Sequence, residues 1–214
     1  MSPRCPTCGR PTGICVCDRT VPLPARTRVL VLQHPEEDDA VLGTAGLLAA
    51  SLPDCRVVRG VRWSSFGAAL GEEGAAPADW AVLWSAQLPA GASAPTGPAT
   101  LLDRAGRPAS GPITGVVVLD GTWSQAKTLW WGNPWLLGLH RVVLQPTEPG
   151  IYGRVRQEPN RQALSTLEAV AEALVLNGDS PDTRAGLRRL MRTMVQRARD
   201  TDPRRPKPGA GRLA

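Results

Sequence analysis

The stretch GVVVLDGTW, residues 115–123, decides the fold. Its short β-branched run ends in Asp120 and Gly121, and the helix-forming sequence SQAKTLWW follows closely. Near-continuous apolar runs of this length are typical of strands covered on both faces, as in a parallel sheet. Ligands gather beyond the carboxyl ends of such strands, so a carboxylate and a glycine here predict a ligand site. The alternatives are an ordinary helix cap at Asp120 or Thr122 and a core position for Trp123.

Four further runs have the same character and predict additional strands. They are RVLVLQH from Arg28, CRVVRGV from Cys55, WAVLWS from Trp80 and RVVLQ from Arg141. Helical patterns separate several of them, over residues 37–51, 124–131 and 167–174. The rest of the chain between Gly71 and Gly115 is rich in Ala, Gly and Pro, which is typical of surface loops. The alternation of strands and helices predicts an α/β domain.

Two helices are predicted near the C-terminus. Ser165-Thr166-Leu167-Glu168 has the pattern of a capping box, in which the Glu168 side chain returns to the backbone amide of Ser165. The last helix has an apolar stripe formed by Leu187, Leu190, Met191, Met194, Val195 and Ala198. Its other face carries Arg188, Arg189, Arg192 and Arg197. We expect the basic tail after Asp202 to be disordered, because it has no hydrophobic period.

Four of the five cysteines lie close together near the N-terminus, at Cys5, Cys8, Cys15 and Cys17. Zinc prefers four thiolates in a tetrahedron, and glycines within the loop allow the backbone to turn back on an ion. We therefore predict a structural zinc site with no open coordination position, against the alternative of four free thiols. Cys55 lies in a strand pattern and is expected to be buried.

The chain carries 25 basic and 19 acidic residues, for a net charge of +6, and all its basic residues except Lys127 and Lys207 are arginine. This balance favours a polyanionic partner, although codon composition is an equally good explanation of the arginine bias. No apolar run is long enough to span a membrane and no secretory signal is readable, so we expect a cytoplasmic protein. The sequence contains none of the glycine-rich motifs that bind dinucleotides or nucleoside triphosphates, and no serine-hydrolase elbow.

Five motifs in sequence order resemble the DTW-domain family of tRNA-uridine aminocarboxypropyltransferases. They are the cysteine-rich leader CPTCGRPTGICVC, the segment QHPEE at 33–37, Gly43-Thr44-Ala45, the DGTW signature at 120–123 and STLEA at 165–169. Tyr152 with Arg154 and Arg156 matches a further tyrosine-arginine segment of the family. The similarity covers roughly residues 3–176. The loop after Thr44 reads Ala-Gly-Leu where relatives often have an arginine, so no anion contact is assigned to that loop.

The resemblance implies a parallel sheet related to the SPOUT methyltransferases, with a C-terminal trefoil knot that holds S-adenosylmethionine. The implied reaction transfers the 3-amino-3-carboxypropyl group of that donor to N3 of a tRNA uridine and releases 5'-methylthioadenosine. The expected organisation is a zinc knuckle at 1–20, a SPOUT-like catalytic domain at 21–200 and a disordered basic tail at 201–214. We expect a monomer that binds tRNA and S-adenosylmethionine and contacts no membrane.

Site residues follow from the resemblance together with the chemistry. Uridine N3 attacks well only after losing its proton, so Asp120 is the candidate general base; the same carboxylate is also placed to bind the amino group of the donor. The cofactor-binding candidates are Thr44, Leu119, Gly121, Thr122, Trp123, Ser165, Thr166 and Ala169. The candidates for phosphate contact with RNA are Arg154, Arg156 and Arg161. Glu168 is expected to be structural, and Trp130, Trp131 and Trp135 to serve packing or an oligomer contact.

Three alternatives use parts of the same pattern. A methyltransferase would keep the fold and the donor but release S-adenosylhomocysteine, and the DGTW signature argues against it. A non-catalytic zinc-containing RNA-binding module would use only the knuckle and the arginine surface. A related enzyme would modify rRNA in place of tRNA, and the zinc knuckle favours tRNA.

Overall fold

The strands alternate with helices along most of the chain in the computed structural model, which describes residues 3–8, 10–37, 41–84, 98–146, 148–153 and 164–201. The strands are β1 (Arg28–Gln33), β2 (Cys55–Arg59), β3 (Trp80–Trp84), β4 (Ala99–Leu102), β5 (Gly115–Asp120) and β6 (His140–Leu144). The helices are α1 (Ala45–Ser51), α2 (Phe66–Leu70), α3 (Trp123–Gly132), α4 (Thr166–Leu176) and α5 (Pro181–Thr201). Short 3₁₀ turns occupy Thr12–Ile14, Cys17–Arg19, Pro35–Glu37 and Pro134–Gly138.

The six strands form one sheet in the order β2-β1-β5-β3-β6-β4. All neighbours are parallel except β4, which pairs antiparallel with β6 at the edge. The mixed α/β fold with a mostly parallel sheet is therefore confirmed. The register places Gln33 opposite Asp120 on one side and opposite Arg59 on the other. Three polar residues therefore lie together at the carboxyl ends of three neighbouring strands.

Both faces of the sheet are covered, which explains the near-continuous apolar character of β5. Val116 and Val118 belong to one buried cluster, shared with α1, α4 and α5, whereas Val117 belongs to a second cluster, shared with α2 and α3. Side chains alternate between the two faces of a strand, so Asp120 follows Val118 onto the α4 side. The sheet therefore directs the carboxylate of Asp120 towards α4.

The N-terminal leader packs against the body of the protein. Val16 is fully buried and joins the cluster that contains Met194 and Val195 of α5. Arg197 of α5 also donates to the Cys15 carbonyl oxygen and pairs with Asp18 at 2.7 Å. The cysteine-rich segment is therefore anchored by apolar contacts and by an ion pair.

The structure differs from the sequence-based expectation at three places. The helix expected over residues 37–51 begins only at Ala45, because Pro35–Glu37 forms a separate 3₁₀ turn. Strand β4 and helix α2 were not predicted. Both are short, and β4 lies in a stretch whose Ala, Gly and Pro content is typical of loops, so its pairing with β6 decides its conformation. The tail from residue 202 lies outside the described residues.

Candidate active site

Asp120 lies at the carboxyl end of the central strand β5 and is only 7% exposed. One carboxylate oxygen, Oδ2, accepts a hydrogen bond from Gln33 Nε2 at 2.8 Å. The other, Oδ1, accepts one from the Thr166 hydroxyl at the start of α4. Because each carboxylate oxygen has two acceptor positions, two donors fix the orientation of the group and leave acceptor capacity on both oxygens.

Gln33 is itself held by a second polar side chain. Arg59 Nε donates to Gln33 Oε1 at 3.2 Å, which directs the amide nitrogen of Gln33 towards Asp120. The three residues end β2, β1 and β5, and the parallel register brings them side by side. Neither Gln33 nor Arg59 was predicted as a site residue; the available signal was a polar residue at the last position of a predicted strand.

A capping box fixes the start of α4, which contacts Asp120. Ser165 Oγ accepts from the Glu168 amide at 3.2 Å, and Glu168 Oε2 accepts from the Ser165 amide at 3.2 Å, which confirms the predicted capping box. The other oxygen of Glu168 accepts from the Ile151 amide at 3.0 Å. The Glu168 side chain is fully buried, so it fixes both the helix start and the segment before it.

The loop that precedes α1 reaches the same place. Thr44 is buried, and its hydroxyl oxygen accepts a hydrogen bond from the Leu167 amide at 3.2 Å. Tyr152 donates through its hydroxyl to the Leu42 carbonyl oxygen on the other side of this loop. Two segments more than a hundred residues downstream therefore hold the 42–44 loop beside the N-terminus of α4.

The turn after Asp120 depends on the small size of Gly121. A Cβ at this position would lie 2.8 Å from Cβ of Gln125, so any side chain would push the turn away from α3. Thr122 caps α3, since its hydroxyl oxygen accepts from the Gln125 amide and Gln125 Oε1 accepts from the Thr122 amide. Gln125 also donates to Glu36 at 2.9 Å, which joins the QHPEE segment to the DGTW turn. The alternative of a helix cap at Asp120 is therefore wrong.

The remaining predicted residues are arranged around this core. Leu119 lies on the opposite face of β5, among the cluster shared with α2 and α3, so only its backbone faces the turn. Trp123 is 47% exposed, and the core position considered for it is wrong. Ala169 is half-buried, one turn along α4 from Ser165. Arg154, Arg156 and Arg161 lie outside the described residues.

The four N-terminal cysteines converge on one point. Their sulfur atoms all lie within 4.8 Å of one another, with Cys5 and Cys17 3.9 Å apart and Cys8 and Cys15 3.6 Å apart. In a tetrahedral zinc–thiolate site, Zn–S bonds of about 2.3 Å separate the sulfurs by roughly 3.8 Å. The donor set and its spacing therefore fit a zinc ion with four thiolate ligands.

The pKa values of the Cys5 and Cys17 thiols are shifted in opposite directions. Backbone amides of Cys8 and Thr7 lower the pKa of the Cys5 thiol to about 6, so this thiol is largely ionised at neutral pH. Burial, followed by contacts with the other thiols, raises the pKa of Cys17 far above its ordinary value. A metal must displace protons from such thiols, so metal binding here releases protons.

The arginine face of α5 divides into paired and unpaired side chains. The paired residues are Arg184 with Glu172, Arg188 with Glu148, Glu168 and Glu172, and Arg197 with Asp18. Arg192 and Arg199 form no ion pair within the described part of the chain, and both line a surface groove of about 460 Å³ beside Ile151. Two unpaired arginines of α5 therefore lie along this groove, whereas Arg189, which forms no ion pair within the described residues either, does not line it.

The exposed tryptophans of α3 do not pack in the core. Trp131 is 77% exposed, whereas Trp130 and Trp135 are partly buried against the cluster shared with α2. Packing therefore accounts for Trp130 and Trp135 but not for Trp131. None of the helices described is long and apolar enough to cross a membrane.

The described residues combine a mostly parallel sheet, a buried carboxylate at the end of its strand β5, a capped helix beside that carboxylate and a cluster of four cysteines. This combination defines an α/β domain with a candidate ligand site and a candidate metal site. The DTW domain pattern matches residues 2–199, and the chain belongs to the DTW domain family. The chain is 32% identical over 176 residues to tRNA-uridine aminocarboxypropyltransferase 2 of Macaca fascicularis, covering 80% of this chain and 55% of the relative. It is 33% identical over 176 residues to the protein of that name from Mus musculus, with the same coverage.

A relative with the same name from Drosophila melanogaster is 30% identical over 198 residues, covering 90% of this chain and 74% of the relative. The chain spans about half the length of the two mammalian relatives that it matches. No solved structure matches the chain.

Proposed function

We propose that this protein transfers the 3-amino-3-carboxypropyl group of S-adenosylmethionine to N3 of a uridine in tRNA. The bond between the sulfonium sulfur and the Cγ methylene of the donor breaks, a bond from N3 to that methylene forms, and 5'-methylthioadenosine leaves. The names of the relatives support an aminocarboxypropyl transfer to tRNA uridine. The observation that carries the proposal is the contact between Thr166 and Asp120, which joins two family motifs 46 residues apart at one strand end.

Asp120 is proposed as the general base that takes the N3 proton. A base must be fixed within hydrogen-bonding distance of the proton that it removes, and the two donors Gln33 and Thr166 fix this carboxylate while leaving acceptor positions for N3–H. Loss of the proton gives N3 a negative charge, which attacks the positively charged sulfonium donor. The alternative role of Asp120 is to bind the amino group of the donor.

The donor is proposed to lie along the DGTW turn and the start of α4. The proposed contacts are Thr44, Leu119, Gly121, Thr122, Trp123, Ser165, Thr166 and Ala169. The positive end of the α4 helix dipole suits a carboxylate of the donor; the amides of Leu167 and Glu168 there already donate to Thr44 and Ser165, so the attraction is that of the dipole. The half-exposed ring of Trp123 offers a flat surface to adenine or to an extruded uracil, since alkylation at the pairing edge requires an unpaired base.

The finer features of the fold are part of the same proposal. We propose a SPOUT-like domain over 21–200 with a C-terminal trefoil knot, a zinc knuckle over 1–20 and a disordered tail over 201–214. The parallel sheet and the return of α4 to the end of β5 support this arrangement. The zinc ion is structural, because four thiolates fill its coordination sphere. The protein is proposed to act as a cytoplasmic monomer and to contact tRNA through Arg154, Arg156 and Arg161.

The direct test is a single-turnover reaction of the purified protein with S-adenosylmethionine and unmodified tRNA. Nucleoside mass spectrometry is expected to show 3-(3-amino-3-carboxypropyl)uridine, with an equal amount of 5'-methylthioadenosine. A methylated base with S-adenosylhomocysteine would instead make the protein a methyltransferase. RNA binding without any product would make it a binding module.

A variant pair tests the base. Asp120→Asn is expected to lower the rate of the chemical step about 10²- to 10⁴-fold, as general base catalysis requires. Asp182→Asn is the control, because this aspartate is exposed in the first turn of α5. An Asp120→Asn protein that reacts as fast as wild type at saturating donor would exclude Asp120 as the base.

A further inference from the structure

The side chain of Arg10 extends from the cysteine-rich segment to the loop before α1. It lies between Cys8 and Cys15 in sequence, yet only 7% of it is exposed. Its Nη2 donates to the Gly43 carbonyl oxygen, directly before Thr44. A Cβ at Gly46 would lie 3.9 Å from Arg10 Nη1, so the guanidinium rests on the first turn of α1 as well as on the loop before it.

Within the described part of the chain, this buried guanidinium makes a single hydrogen bond. Within the described residues no carboxylate lies within 4.0 Å of it, and no N–H of Arg10 donates to a cysteine sulfur. Its Nε is buried without any hydrogen-bond partner. By contrast, Arg197, which also holds the cysteine-rich segment, donates two hydrogen bonds of 2.7 Å to Asp18.

An arrangement of this kind is costly without a ligand. A guanidinium has five N–H donors, and one neutral carbonyl oxygen accepts only one of them. A buried charge without a counter-ion carries a desolvation penalty that an anion can offset, and a carboxylate matches the guanidinium fork with two parallel hydrogen bonds. The unsatisfied donors of Arg10 are therefore suited to an anion supplied from solution.

The position of Arg10 connects it to the candidate active site. Gly43 precedes Thr44, and Thr44 accepts from the amide of Leu167. The residue before Leu167 is Thr166, which donates to Asp120. Arg10 thus lies one loop away from the α4 N-terminus.

We propose that Arg10 binds the α-carboxylate of the bound donor, an inference that rests on the proposed function. The cysteine-rich segment then contributes a binding residue to the site as well as stability. This assigns recognition of the carboxylate, which is carried by the group that is transferred, to a residue between two metal ligands. Loss of the metal is expected to weaken donor binding because it releases the segment that carries Arg10.

The test compares two donors that differ only in this group, S-adenosylmethionine and its decarboxylated form. Dissociation constants are measured by calorimetry on the zinc-loaded full chain, for wild type and for Arg10→Gln. We expect Arg10→Gln to weaken binding of S-adenosylmethionine about 10- to 100-fold, the usual effect of losing hydrogen bonds to a charged group. Binding of the decarboxylated donor is expected to change less than about twofold, because no carboxylate contact is lost.

Arg197→Gln is the matched control. It removes the other arginine that anchors the cysteine-rich segment, so any effect of loosening that segment falls on both donors equally. Equal weakening of both donors by Arg10→Gln would overturn the inference and reduce Arg10 to a structural tie. A wild-type protein that binds the decarboxylated donor as tightly as S-adenosylmethionine would overturn it as well.

The proposed function fails by a different result, namely a wild-type protein that binds neither donor or forms no aminocarboxypropyluridine. If Arg10→Gln does not fold, Arg10→Lys replaces it, because lysine keeps the charge but loses the fork. The lysine variant is expected to show a smaller loss that is still confined to S-adenosylmethionine. A loss shared by both donors would again contradict carboxylate binding.

Discussion

Glu168 offers the sharpest test of how the site is held together. Its carboxylate is fully buried and accepts hydrogen bonds from the backbone amides of Ile151 and Ser165 and from the Ser165 hydroxyl. Glu168→Ala leaves the buried Ser165 amide and the partly buried Ile151 amide without acceptors, at about 1–3 kcal/mol each, and removes a carboxylate that lies 3.9 Å from Arg188. We therefore expect the free energy of unfolding to fall by about 4 kcal/mol, which corresponds to roughly 8–16 °C in Tm for a chain of this size.

The assay is urea unfolding followed by tryptophan fluorescence, since the chain has seven tryptophans. Glu168→Gln retains the shape but turns an amide group towards one of the donors, so an intermediate loss of about 2 kcal/mol is expected. Glu148→Ala is the control, because its side chain is 77% exposed and its ion pair with Arg188 is worth at most about 1 kcal/mol. A Glu168→Ala protein within about 1 kcal/mol of wild type would refute the reasoning.

Three further outcomes are expected. Chelation of the metal exposes the four clustered cysteines. Alkylation followed by mass spectrometry is then expected to label four additional thiols, and Tm is expected to fall. Thiols that stay protected in the presence of chelator would contradict a metal site. The hydrogen bond from Arg28 lowers the pKa of Glu72, so this pair stabilises the fold above the ordinary carboxyl pKa and loses its effect as pH falls. The difference in urea midpoint between wild type and Glu72→Gln is therefore expected to shrink below roughly pH 4, and a constant difference would be inconsistent with the pair. The α5 groove with its unpaired Arg192 and Arg199 is proposed as a further tRNA contact. Arg192→Glu with Arg199→Glu is expected to weaken tRNA binding and flatten its salt dependence, measured by filter binding, whereas replacing the paired Arg184 has a smaller effect. Equal effects would exclude the groove as a tRNA contact.

The sequence alone was sufficient for the features that depend on local pattern. The β-branched runs identified β1, β2, β3, β5 and β6, because buried parallel strands need apolar side chains on both faces. The capping box at Ser165 was readable because its two hydrogen bonds join residues three apart. The cysteine cluster was readable for the same reason, since its ligands are close in sequence.

Features that depend on contacts between distant segments were not readable. The hydrogen bond of Gln33 to Asp120 spans 87 residues and exists because β1 and β5 are neighbours, which no local pattern encodes. The edge strand β4 has little strand character of its own and is set by pairing with β6. The burial of Arg10 is likewise invisible in the sequence, where an arginine between cysteines is typical of a solvated loop.

The burial of Val16 beside Met194 and Val195 means that the N-terminal leader is not a detachable appendage. A shortened chain without this leader would expose part of the apolar face of α5 to water, and exposed apolar surfaces drive self-association. Expression trials with truncated versions should therefore yield inclusion bodies in place of a smaller working protein.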